Sequence, residues 1–220
     1  MGDMRVLGKG IKGAEVIPMM DTSENLDLVE FEIGCSCEEL LTPLTRRTRK
    51  RPDGMFAIDN GSYSRFRLDA FVSLLEREKK SVELCRFVAV PDVVGSARRT
   101  LEVFDRWLAK LHGWPLALVA QDGQHDLPIP WESISAVFIG GSTEFKLSKH
   151  AVEIIKAAQA LEKWVHVGRV NTPSRFAYFE DLGCDSIDGT GIAQYTDMRN
   201  KIKQRDTSEN LYQEKNEDNS

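Results

Sequence analysis

"MFAIDNGSYSRF", residues Met55 to Phe66, holds the reading on which the fold turns. Met55-Phe56-Ala57-Ile58 is a continuous apolar run. It lacks the alternation of a half-exposed strand, so it reads as a strand buried on both faces. The run stops on Asp59, and Asn60-Gly61 follows, a dipeptide that tolerates the backbone of a tight turn. After Ser64 the periodicity changes: Phe66, Leu68, Phe71, Val72, Leu74 and Leu75 recur at helical spacing. Strand, polar turn and helix in that order form the repeating unit of a parallel sheet.

The same unit recurs on both sides of this stretch. Apolar runs lie near Glu15–Met19, Val29–Ile33, Arg86–Val90, Leu116–Ala120, Ala136–Ile139, Trp164–Val167 and Asp185–Ile187. Helical patterns cover Thr100 to Leu111 and Lys146 to Leu161. A shorter one follows Pro173, a good first-turn residue, and Gly183 ends it. The class is therefore α/β with a mainly parallel sheet. About eight strand candidates favour a compact (β/α)8 barrel over an open sheet, although 220 residues is near the short end for one. One domain is expected over residues 1–205. Residues 206–220 have almost no apolar side chains, and their composition predicts a polar, disordered tail.

Formal net charge is −5, so global charge does not announce a nucleic-acid partner. A local basic cluster remains: Arg46-Arg47-Thr48-Arg49-Lys50-Arg51, either a solvated loop or one that contacts phosphate. The four cysteines are Cys35, Cys37, Cys85 and Cys184. No second Cys/His pair follows Cys35-Ser36-Cys37 at zinc-site spacing, so no metal site is expected. Cys85 and Cys184 sit in apolar runs and read as buried thiols. No segment has the roughly 20 apolar residues of a membrane span. The N-terminus lacks the apolar core of a signal peptide. The expectation is a cytoplasmic protein with no membrane contact.

Strand ends carry the chemistry. The apolar runs finish on Asp59, Asp92, Gln121, Gly140-Gly141, Gly168-Arg169 and Asp188. A parallel barrel gathers all such ends on one face. Any one of these aspartates reads equally well as a helix N-cap. Several carboxylates in one bowl repel each other and raise at least one pKa, which suits acid/base or nucleophilic chemistry better than stability. A carboxylate nucleophile beside a proton-handling carboxylate fits glycosyl transfer. Gln121 and the glycine backbone suit a planar heterocycle, which glycine allows to approach closely. Tyr63 is placed to stack on it.

In these segments the chain resembles the tRNA-guanine transglycosylases, and more closely their short viral relatives that put 7-deazaguanines into DNA. The family's Asp-Ser-Gly-Gly-aromatic-Gln is matched by Asp59-Asn60-Gly61-Ser62-Tyr63-Ser64. Its Phe-Asp strand end is matched by Val90-Pro91-Asp92, its Val-Gln-Gly by Ala120-Gln121-Asp122, and its glycine pair by Gly140-Gly141. Its nucleophile segment, Gly-x-Asp-x-Phe-Asp, is matched by Gly183-Cys184-Asp185-Ser186-Ile187-Asp188. The resemblance spans roughly residues 55 to 190. Each motif alone is weak, and their shared order and spacing carry the likeness.

The resemblance implies roles. Asp188 is the nucleophile on the sugar C1′, with Asp185 as rival, and Asp59 handles the proton of the departing or incoming base. Asp92 holds the base's amidine edge, Gln121 and the Gly141 amide hold its carbonyl oxygen, and Tyr63 stacks on it. Asn60, Gly140 and Gly168 complete the substrate-binding candidates. Arg46, Arg47, Arg49, Lys50, Arg51, Lys146 and Arg169 are candidates for phosphate contact. No cofactor is implied. The partners are DNA, or tRNA as the alternative, and a free 7-deazaguanine base. A catalytically silent barrel that binds nucleic acid or free purine is the reading from a different class. The chain departs from the family in two places. The Cys-x-Cys-x-x-Cys…His zinc subdomain that follows the nucleophile in the tRNA enzymes is missing, which leaves the oligomeric state open and favours DNA. Ser142-Thr143-Glu144 replaces Leu-Ala-Val after the glycine pair, which leaves the incoming 7-deazaguanine open.

Overall fold

Strands of three to five residues pair on both edges here, and no edge is left over. In the computed structural model, which describes residues 15–22 and 25–204, eight parallel strands close into a barrel in chain order. They are β1 (Ile17–Met20), β2 (Glu38–Leu41), β3 (Phe56–Ile58), β4 (Cys85–Ala89), β5 (Leu116–Ala120), β6 (Ala136–Ile139), β7 (Trp164–Val167) and β8 (Ser186–Asp188). Closure is made by β8 against β1, where Ile17 pairs with Ser186 and Met19 with Asp188. Around the barrel run α1 (Leu26–Ile33), α2 (Leu68–Glu78), α3 (Ala97–Trp107), α4 (Thr143–Lys146), α5 (Lys149–Ala160), α6 (Pro173–Asp181) and α7 (Thr190–Gln194). Residues 196–204 are also helical. The tail expectation for residues 206–220 lies outside the described residues. No helix among the described residues is long and apolar enough to cross a membrane.

One strand expectation is overturned. Val29–Ile33 is the end of helix α1, not a strand. Leu26, Val29 and Ile33 bury one face at helical spacing, the Asn25 side chain caps the first turn, and Gly34 ends the helix in left-handed geometry. The true second strand is Glu38–Leu41, which two glutamates disguise. Glu38 forms an ion pair with Arg86 at 2.7 Å, and the Arg86 guanidinium lies 4.5 Å over the Trp164 ring. Glu39 accepts the backbone N–H groups of Lys50 and Arg51. The pattern from Lys146 to Leu161 also divides into two helices, because Ser148 caps a new one.

The barrel is economical in chain length. Residues 42–55 join β2 to β3 without a helix, and β5 reaches β6 through two single turns of 3-10 helix. Strand alternation sends Met19, Leu40, Ala57, Phe87, Ala117 and Phe138 into one interior cluster. Two further clusters lie outside the strands. One packs β6, β7, β8 and β1 against α1, α5 and α6. The other packs β2 to β5 against α2 and α3, where Phe66, Phe71 and Trp107 meet edge to face.

The 42–55 loop corrects part of the basic-cluster expectation. Arg49 is 9% exposed. It forms an ion pair with Glu78 at 3.1 Å, donates to the carbonyls of Arg51, Pro52 and Gly54, and lies 4.3 Å over the Phe56 ring. Arg51 bonds Glu30 and Asp27 and the Cys37 carbonyl. A loop without regular structure leaves its polar backbone to be satisfied by side chains, and Arg49 does that here, while Arg51 ties the loop to α1 and to the Cys37 carbonyl. Arg49 is buried, and Arg51 is engaged by two carboxylates, so neither is offered to phosphate. Arg46, Arg47 and Lys50 are exposed.

Candidate active site

The polar strand ends do converge. Asp59 follows β3, and its Oδ1 accepts the Gly61 N–H at 3.0 Å. Asn60 then reaches sideways: its Nδ2 donates to the Val90 carbonyl and to Asp92 Oδ1, both at 2.9 Å, while its Oδ1 accepts the Ser62 N–H. Asp92 Oδ2 accepts from Gln121 Nε2 at 2.6 Å, and Gln121 Oε1 accepts the Gly95 N–H at 2.9 Å. One hydrogen-bonded chain thus ties the ends of β3, β4 and β5 together. Asn60 has both amide hydrogens and its carbonyl engaged, so it orients Asp92. Gln121 keeps one amide hydrogen for a ligand.

At the end of β8, Asp188 Oδ1 accepts the Arg169 N–H at 3.0 Å, and Oδ2 meets His166 Nε2 at 3.0 Å. Gly168 makes room for this carboxylate. A Cβ there would stand 2.6 Å from the Phe138 ring and 3.3 Å from Asp188 Oδ2. Gly141 has φ +69, and a Cβ there would strike Asp122 and Phe145. At both positions a side chain would fill space beside the cavity.

Removal from water pushes Asp59 up to about 6, and the Asp188 carboxylate adds to that, opposed by the Gly61 N–H. Burial also raises Asp92, against the hydrogen bonds from Asn60, Ser62 and Gln121. Asp59, Asp92, Gln121, Gly140, Gly141, Gly168 and Asp188 line one cavity of about 190 Å³, together with Asn60, Tyr63 and Arg169. Tyr63 is 64% exposed at its mouth. The Arg169 guanidinium lies 4.0 Å from the Tyr63 ring and donates to the Gly141 carbonyl.

Two expectations are settled by position. Asp185 precedes β8, and its Oδ2 accepts the Val165 N–H at 2.7 Å, so it joins β7 to β8 away from the cavity. Lys146 is buried, and its Nζ donates to the Gly168 carbonyl at 2.7 Å. Burial, with Arg169 beside it, lowers the ammonium to about 8. Lys146 therefore fixes the backbone under Arg169 and is not a phosphate contact.

Sequence reasoning missed other lining residues. Val119 and Phe138 stand two residues before Gln121 and Gly140, where strand alternation turns them toward the same cavity. Arg65 and Arg67, exposed on the loop from β3 to α2, also line it, whereas none of Arg46, Arg47, Arg49, Lys50 and Arg51 does. All four cysteines are buried free thiols, and burial raises each of them. Among the described residues no group of three or more His, Cys, Asp or Glu side chains is placed to hold a metal ion.

A scan against protein-family models matches none of them, and a search of curated proteins returns no significant match.

Proposed function

We propose that the chain is a base-exchange transglycosylase that replaces guanine in DNA with a 7-deazaguanine through a covalent Asp188–sugar intermediate. The observation that carries this reading is the trio of carboxylates on one small cavity, with Asp59 raised to about 6 by burial and by Asp188. The motif order from Asp59 to Asp188, similar to that of the transglycosylases, supports it independently.

The target guanine leaves the helix and enters the cavity, at an unstacking cost of a few kcal/mol that the pocket contacts offset. Asp188 attacks C1′, the bond to the base breaks, and the departing ring nitrogen takes the Asp59 proton. The ester extinguishes the Asp188 charge, which removes one of the causes that kept Asp59 protonated. Asp59 is then ionised when the incoming 7-deazaguanine needs a base. Its ring N–H gives a proton to Asp59, the nitrogen bonds to C1′, and Asp188 departs as a carboxylate. Asp92 and Gln121, already bonded to each other, hold the base edge with the lone pairs and the one amide hydrogen that remain.

Phosphate contact is reassigned from the engaged Arg49 and Arg51 to Arg65, Arg67 and Arg169, which line the cavity, with Arg46 and Arg47 exposed outside its lining. Replacing Arg65 and Arg67 with Ala is expected to weaken duplex binding across sequences. The slope of log affinity against log salt should flatten by about 1 for each phosphate no longer neutralised. A salt series followed by fluorescence anisotropy measures this, and an unchanged slope would remove both residues from the interface.

The function itself is tested by offering duplex DNA, single-stranded DNA and tRNA with labelled guanine at one salt concentration. Label is expected in DNA. Label in tRNA alone would replace this reading with the same exchange on tRNA. Binding without exchange in any polymer would leave a silent barrel.

A further inference from the structure

Behind Asp188 the barrel interior holds a polar chain of three side chains that the exchange reading above does not use. Trp164 Nε1–H donates to Ser186 Oγ at 2.8 Å, Ser186 Oγ lies 2.9 Å from His166 Nδ1, and His166 Nε2 lies 3.0 Å from Asp188 Oδ2. His166 is fully buried, at 0% exposure, with the Phe138 and Phe87 rings 4.5 and 5.1 Å away. The four side chains alternate on β7 and β8, where His166 pairs with Ser186 in register. We propose that His166 is a positioning residue for Asp188, fixed in one tautomer by Ser186 and Trp164, and that its N–H assists the departure of Asp188 from the sugar.

The direction of the chain follows from its ends. An indole N–H can only donate, and a carboxylate can only accept. Ser186 Oγ accepts from Trp164 and gives its own hydrogen to Nδ1. The ring hydrogen then sits on Nε2 and points at Asp188 Oδ2. With a neutral ring every polar atom in the chain is satisfied, as an interior of this kind demands.

The consequence is unequal for the two halves of the exchange, and it rests on that reading. A hydrogen bond to a carboxylate is stronger than one to a neutral ester. In the second half the incoming nitrogen bonds to C1′, the C1′–O bond breaks, and its electron pair returns to Asp188. The incoming base's proton goes to Asp59. His166 Nε2–H meets the restored charge and so favours this step. In the first half it steadies the nucleophile but also stabilises it before attack, and the two effects oppose each other.

The first test is a long-range 15N–1H spectrum of the whole chain. Wild type is expected to show a pyrrole-like Nε2 and a pyridine-like Nδ1 for His166, and Ser186→Ala is expected to show a mixture of tautomers. A Nδ1–H or doubly protonated ring in wild type would overturn the proposal. The second test traps the protein–DNA adduct and chases it with free guanine. His166→Phe fills the space between the two rings without an N–H, and its adduct should break down roughly ten- to a hundredfold more slowly, with formation changed less. His166→Gln, which restores a donor near the position of Nε2, should recover part of the loss. Wild-type breakdown in His166→Phe, or equal slowing of both halves, would overturn the proposal. If the Phe variant does not fold, Ser186→Ala carries the same chase, with slower breakdown expected and an unchanged rate overturning the idea. A wild type that forms no adduct sinks the exchange reading, while the nitrogen spectrum still decides the hydrogen-bond chain.

Discussion

Asp188→Asn is expected to fold, to form no covalent adduct with guanine-containing DNA, and to lose exchange by about 10⁴-fold or more, the scale seen when a nucleophile is removed. The fold should survive because Asn has nearly the same shape, and its one carbonyl can still accept either the Arg169 N–H or the His166 Nε2–H. Its amide group must then face the other donor, which costs about 1 kcal/mol. Loss of the charge relieves Asp59, whose high pKa Asp188 helps to sustain. The net change in stability should therefore be small, and a thermal melt checks it. The adduct is read on a denaturing gel with no incoming base supplied. Near-normal exchange in the variant would remove Asp188 from the nucleophile's role, as would a wild-type adduct that mapped to another carboxylate.

The strand ends at β3, β5, β6 and β7 were legible because each strand ends where its apolar run ends, and Asp188 was legible from the order of motifs, since β8 is only Ser-Ile-Asp. Continuous apolarity marks strands buried on both faces, and closure of the barrel then gathers their ends without further information. The second strand was illegible for a physical reason. Glu38 and Glu39 are charged, and each is satisfied by a distant partner, Arg86 for one and the backbone of residues 50 and 51 for the other. Such pairs have no local signature, so the apolar residues of α1 stood in for the missing strand.

The basic cluster shows the same limit. Six consecutive polar residues, four of them arginines, read alike whether they face water or the loop's own carbonyls. Only Glu78, Glu30 and Asp27, all remote in sequence, decide that Arg49 is buried and that Arg51 is held against α1. His166 was missed for a different reason. It stands two residues before Gly168, so strand alternation alone would have turned it toward the interior and toward Asp188. Its partners Ser186 and Trp164 follow from the same period on β8 and β7.

Asp59→Asn is expected to give a weakly active protein that is more stable than the wild type at neutral pH. A carboxyl raised from the ordinary 3.8 to about 6 holds its proton more tightly in the folded state than in the unfolded one. That difference stabilises the wild type fully below pH 4 and is lost as pH rises through about 6. Above that pH the ionised group sits in a half-buried wall beside Asp188, at a cost near 3 kcal/mol on the full shift. The cavity opens to solvent, so about 1–3 kcal/mol is the range to expect. Asn carries no charge at any of these pH values, and its Oδ1 still accepts the Gly61 N–H. The gain over wild type should therefore be absent at pH 4 and complete by pH 7, and urea melts at the two values read it directly. Exchange should fall by roughly 10²–10⁴-fold, the usual worth of a general acid/base. Adduct formation in wild type needs protonated Asp59, so it should slow as pH rises above about 6, and in the variant that dependence should vanish. A variant no more stable than wild type at pH 7, or one that keeps the same pH profile of adduct formation, would show that Asp59 is neither the strained group nor the proton carrier.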